Sequence, residues 1–203
     1  MIRWRPMLHY ARSRRTAATI AALVVIDSAG LMLRHSVFRF PGSSGFGVPW
    51  VTLLPFLSAC AIGLSVRSPM NEIEGTAARS MRRARLAHAG TILVIAALLT
   101  APTAGTLPPP VSLPAALRNL LGLTGLATLC GRFLGGRLSW VLPTAFTLTA
   151  LTVGASDGIP RNWAWILAPD LDRMSWGLAV ACAAVGCMAL AQGPTREPAD
   201  EYE

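Results

Sequence analysis

"TAATIAALVVIDSAGLML", residues 16–33, is a run of aliphatic and small residues interrupted by one ionisable group, Asp27. A membrane-spanning helix needs roughly 17 to 25 consecutive, mostly apolar residues, and this run is long enough. Arg12, Arg14 and Arg15 stand just before it and Arg34 just after. Basic residues followed by an apolar run is also the order of a secretory leader. The span-length run and the aspartate inside it favour a first span instead.

Working outward, five further apolar stretches follow: "VPWVTLLPFLSACAIGLSV" (48–66), "AGTILVIAALLTAP" (89–102), "LPAALRNLLGLTGLATLCGRF" (113–133), "LSWVLPTAFTLTALTVGA" (138–155) and "MSWGLAVACAAVGCMALAQ" (174–192). The run at 89–102 reaches span length only if Leu86 and Ala87 are counted, and Pro102, Pro108, Pro109, Pro110 and Pro114 crowd its connection to the run at 113–133. The expected spans therefore lie near 16–33, 48–66, 86–102, 113–133, 138–155 and 174–192. Overall, 53% of the 203 residues are hydrophobic and only 14% charged, whereas about a quarter of a soluble domain is charged. Open sheet edges cannot face lipid, and no run alternates as a barrel strand would. The sequence thus predicts an all-α, polytopic helical bundle of about six transmembrane helices, one transmembrane domain over 1–203.

Orientation rests on arginine, because the chain has no lysine. A cytoplasmic N-terminus leaves only Arg34, Arg39, Arg118, Arg161 and Arg173 of the 18 arginines outside. That asymmetry obeys the positive-inside rule, places both termini in the cytoplasm and makes 194–203 an acidic cytoplasmic tail. The net charge of +8 reads as topology and attraction to anionic membrane lipids, not as a nucleic-acid footprint. The expected location is the cell membrane, as a multi-pass protein.

Catalytic chemistry finds little support. His9, His35 and His88 lie near span ends on no shared face, and Cys60, Cys130, Cys182 and Cys187 all fall in apolar runs without metal spacing; no metal is expected, and the cysteines read as small packing residues. No nucleophile elbow occurs, so the chain is not expected to be an enzyme. GxxxxGK[ST] is also missing, so any ATP would be bound by a partner.

Asp27 is the exceptional intramembrane group. An ionisable side chain at the centre of a span costs roughly 2.5 to 3.5 kcal/mol on insertion scales and normally faces protein or water. It reads either as a proton- or cation-coupled site or as a hydrogen-bonded structural contact, with Arg118 and Asn119 as possible pairing residues. Gly122, Gly125 and Gly131, and Gly177, Ala181, Ala184 and Gly186, would let backbones approach closely, within the chain or in a dimer. Trp163, Trp165 and Trp176, in and beside "SDGIPRNWAWILAPDLDR" (156–173), suggest a short helix on the outer interface, or an aromatic gate.

The densest charge lies in "NEIEGTAARSMRRARLAH" (71–88). Pro69 stops the preceding helix, Asn71 is a good N-cap, and Glu74 three residues later completes a capping-box-like start. Ile73, Ala77, Met81 and Ala84 form one stripe and Arg79, Arg82 and Arg83 another. A cytoplasmic amphipathic helix over 71–88 follows, either a topology anchor on the inner leaflet or a docking element.

The layout of basic N-terminus, two spans, "EIEGTAARSMRRAR", "RNLLGLTGLATLCGRFLGGRLSWVLP" and a tryptophan-flanked last span resembles the membrane subunits of actinobacterial ABC transporters, in the broad ABC-2-like permease class. The resemblance implies a coupling helix seated on a separate ATP-binding cassette ATPase, with Glu72, Glu74, Thr76, Arg79 and Arg82 as contacts and ATP with magnesium held by that partner. It implies no cofactor on this chain, and a homodimer or second membrane subunit. The expected function is therefore a permease subunit of an ATP-driven transporter, an exporter by preference. The alternatives are a non-transporting scaffold or immunity-type subunit, and a small gradient-driven secondary transporter using Asp27.

Overall fold

The computed structural model describes residues 16–39, 47–66, 82–105, 112–156 and 159–192. Six α-helices occur among them: α1 (Thr16–Met32), α2 (Leu54–Ser65), α3 (Arg82–Ala104), α4 (Leu113–Leu134), α5 (Val141–Val153) and α6 (Arg173–Gln192). The protein is mostly helical, and α3, α4 and α6 are each long and apolar enough to cross a membrane. The other three are shorter: α1 has 17 residues, α2 has 12 and α5 has 13.

Local sequence explains the helix ends. Pro55 and Pro114 sit in the first turns of α2 and α4, where a missing N–H costs no intrahelical bond. A 3-10 turn over Trp50–Leu53 leads into α2. The stretch 48–66, expected as one continuous span, therefore begins as two strand residues and a 3-10 turn. Gly135 ends α4 with φ 94°, a conformation that a Cβ would disfavour. Pro102 lies in the last turns of α3, where little helix remains to be interrupted. Two small antiparallel pairs complete the fold: β1 (Val37–Arg39) with β2 (Gly47–Pro49), in the register Phe38 to Val48, and β3 (Ala155–Ser156) with β4 (Ile159–Pro160).

The central element is α4, which packs against α2, α3, α5 and α6 and most extensively against α6; α1 joins through α2 and α3. Two-thirds (67%) of the apolar window of α4 is buried, against 28% in α3 and α6. Glycine makes the α4–α6 seam possible. A Cβ on Gly125 would run into the Cys182 carbonyl, and one on Gly186 into the Gly125 backbone and the Thr128 hydroxyl. Both therefore serve a contact inside the chain. Gly177 has open space around it, and Ala181 and Ala184 are exposed.

Apolar side chains flank the bundle in two clusters. One joins Ala59, Leu123, Ala150, Ala164, Trp165, Ile166 and Ala179, and the other joins Leu23, Ile62, Ile92, Ala96 and Leu120. The outer surface is also apolar: Val25, Val94, Leu98, Leu148, Val180 and Met188 are all at least half exposed. A water-soluble monomer rarely displays so much apolar surface. The exposed hydroxyls on these faces satisfy themselves, since Thr91, Thr149 and Thr152 donate to the Ala87, Ala145 and Leu148 carbonyls one turn back. Such back-bonding is how a threonine faces lipid without an orphaned donor. Surface and helix lengths together define a membrane-associated helical bundle.

Candidate functional site

Arg118 and Asn119 stand in the second turn of α4, and Arg118 is fully buried. Its Nη1 donates to the Pro169 carbonyl at 2.7 Å, its Nη2 to the Ala168 carbonyl at 3.0 Å and its Nε to Asn119 Oδ1 at 3.1 Å. Asn119 Nδ2 in turn donates to the Ile166 carbonyl at 3.1 Å. The two side chains therefore hold three carbonyls of one segment about fifty residues further along the chain. The nearest acidic groups acting on the guanidinium are Asp170 and Asp172.

That held segment is irregular. Residues 161–172 form successive tight turns, with Ala164 N–H bonded to the Arg161 carbonyl and Leu167 N–H to that of Ala164. Ala164, Trp165, Ile166 and Ala168 are all buried. Trp165 stacks on Phe146 of α5 with ring centroids 5.1 Å apart, and Trp163 meets the same ring edge-on at 6.4 Å. Beneath Trp165 lies Gly122, where a Cβ would come within 2.5 Å of the indole. Gly122 is nine residues into α4, so the indole reaches about 13 Å down that helix.

The structure corrects the interfacial-helix expectation for this segment. It forms no helix, and Trp165 is a core residue 2% exposed; Trp163 is 37% exposed, while Trp176 donates its indole N–H to the Asp170 carbonyl. The physical reason is supply of donors. Unpaired carbonyls cannot be buried, and Arg118 and Asn119 provide the hydrogen bonds that let this backbone enter the bundle. Asp172 then caps α6, accepting from the Ser175 N–H at 2.8 Å and from the Ser175 hydroxyl. The Ser175 hydroxyl and backbone bonds hold the Asp172 carboxyl below its ordinary value.

Asp27 lies elsewhere. It is 4% exposed on α1, and neither carboxylate oxygen has a hydrogen-bond partner. Thr100 of α3, itself fully buried, is the hydroxyl that acts on it, without reaching full hydrogen-bond geometry. Arg118 and Asn119 therefore do not pair with Asp27: their donors are committed to the 166–169 carbonyls and to each other. The sequence offered no signal for Thr100, or for the carbonyls of Ile166, Ala168 and Pro169.

Of the expected ATPase contacts, Arg82 is exposed at the start of α3, whereas Glu72, Glu74, Thr76 and Arg79 lie outside the described residues, as does the 194–203 tail. From Arg82 onward the 71–88 segment is already the first turns of α3. Among the described residues no group of three or more His, Cys, Asp or Glu could hold a metal. Cys60, Cys130, Cys182 and Cys187 are free thiols, and the Cys130 thiol donates to the Leu138 carbonyl at 3.1 Å. No family model, no curated protein and no solved structure matches this chain.

Proposed function

We propose that the chain is a multi-pass permease subunit of the cell membrane, with six membrane-embedded helices and both termini cytoplasmic, driven by a separate ATP-binding subunit. The observation that carries this reading is the continuity of α3. It runs unbroken from Arg82 to Ala104, with Arg82 and Arg83 exposed at its first turn and Thr100, the neighbour of Asp27, near its other end. A helix is stiff over this length, about 34 Å. A push on the exposed first turn at Arg82 and Arg83 would therefore move the α1–α3 contact deep in the bundle, and Glu72, Glu74, Thr76 and Arg79 are the further partner contacts that the resemblance implies. ATP and magnesium belong to the partner, and a second copy or a second membrane subunit completes the pathway.

The short helices are compatible with six membrane-embedded elements. α2 with its preceding 3-10 turn covers about 26 Å, close to the ~30 Å hydrocarbon thickness. α5 covers only about 20 Å, and the inserted Trp165 segment packs beside it.

Purification of the tagged chain from its host in mild detergent, with mass spectrometry of what accompanies it, tests the reading. Recovery of a P-loop ATPase in near-equal amount, whose activity falls when Glu74 and Arg79 are changed to alanine, is the expected result. Recovery of the chain alone, or ATPase stimulation unmoved by both changes, rejects it.

A further inference from the structure

We propose that Asp27 is a proton-binding site, closed at the contact of α1 with α3, that carries its proton while these helices pack as seen here and exchanges it with water when they part.

The geometry narrows what this carboxyl can bind. Leu23 lies one turn before Asp27 and Ala96 one turn before Thr100, and both belong to the apolar cluster that also includes Ile62, Ile92 and Leu120. The carboxyl thus sits beside a fully apolar wall, with the Thr100 hydroxyl as its polar neighbour. An ionised carboxylate in such a place lacks solvent and has only the neighbouring Thr100 hydroxyl to turn to among the described residues, while the acid form carries no net charge to bury. The acid also gains an O–H that the Thr100 oxygen can accept, a contact an anion cannot offer.

Among the described residues no charged side chain acts on Asp27. α1 has no second titratable residue. α2 contributes only Cys60, and α3 carries Arg82, Arg83, Arg85 and His88 in its first turns. His88 is twelve residues before Thr100, about 18 Å along the helix. Beyond α1, Arg34 donates to the ring of its exposed neighbour His35, and Arg118 is committed to the 168–169 carbonyls.

A metal cation fits poorly. Hard divalent cations want about six to eight oxygens, whereas Asp27 supplies one carboxylate and the surrounding helix carbonyls are engaged in α1. A proton needs one lone pair. Loading forms one O–H bond at a carboxylate oxygen with a proton taken from water, release returns it to water, and nothing is oxidised or reduced. The inference holds with or without an ATPase partner, and its test involves none.

The experiment is infrared spectroscopy of the full-length protein in lipid nanodiscs, with the side-chain carboxyls of its five aspartates labelled with carbon-13 and the pH varied. The expected result is one protonated aspartate persisting near neutral pH, where an ordinary aspartate is ionised. Its band is absent from Asp27→Asn and moves in frequency in Thr100→Val. All five carboxyls ionised near neutral pH in the wild-type protein overturns the proposal, whatever the variants do. Loss of the band on adding sodium or potassium chloride at constant pH also overturns it, because the ligand would then be a cation.

Discussion

Arg118 and Asp27 are both ionisable side chains hidden inside the same bundle, and they are treated oppositely. Arg118 uses its donors on two loop carbonyls and on Asn119, whereas the Asp27 oxygens have no hydrogen-bond partner. A buried charge whose hydrogen bonds are all made holds structure together. One left without partners persists where its ability to change state is useful. The contrast places Arg118 in the architecture and underlies the proton site proposed at Asp27, and it can be broken by mutation.

The largest effect is expected at the clamp. Arg118→Ala leaves the buried Ala168 carbonyl without its donor, removes the bond to Pro169 and empties the volume of a fully buried side chain, and should cost about 3 kcal/mol or more. Thermal unfolding in detergent, with limited proteolysis within 159–172, reads this directly; a resistant segment in the variant would mean that the clamp does not hold it. Next comes the seam behind it. Gly125→Ala pushes a methyl into the α6 backbone, so a loss of about 1 to 3 kcal/mol is expected, while Gly177→Ala, in open space, should be neutral or stabilise by up to about 1 kcal/mol.

Asp27→Asn should change stability by less than about 1 kcal/mol, because the Asp27 oxygens make no hydrogen bond in the structure and an amide N–H can stand in for the acid O–H toward Thr100. A collapse comparable to that of Arg118→Ala would place Asp27 in the architecture after all. The smallest effect concerns the α6 cap. The Asp172 carboxyl is held below the ordinary value of 3.8. Its contribution is therefore present above that value and is lost as pH falls through the lower folded value. An acid titration of helicity should show this loss in the wild-type protein and not in Asp172→Asn, and Ser175→Ala should move it toward the ordinary value.

The helices were legible where apolar runs are long and cleanly bounded. The expected 16–33, 113–133 and 174–192 correspond to Thr16–Met32, Leu113–Leu134 and Arg173–Gln192. The third helix begins earlier than its apolar run, because arginine and alanine are good helix formers and nothing between Arg82 and Leu86 stops it. Asp27 was visible as an ionisable residue in an apolar stretch. Thr100 was not, since a buried threonine reads like any other in a span. The insertion of Trp165 was also hidden. Tryptophan near a span end reads as an interfacial anchor, and only the donors of Arg118 and Asn119, about fifty residues away, make burial of its backbone possible.

That separation has a consequence in time. Synthesis proceeds at about 5 to 20 residues per second, so the fifty residues between Arg118 and Ala168 take about 3 to 10 seconds to emerge. During that interval the rest of α4 leaves the ribosome, and its guanidinium has no carbonyl to hold. Arg118 must stay solvated, or be sheltered by other groups, until the acceptors arrive. The last third of the chain thus completes the packing of a helix made well before it.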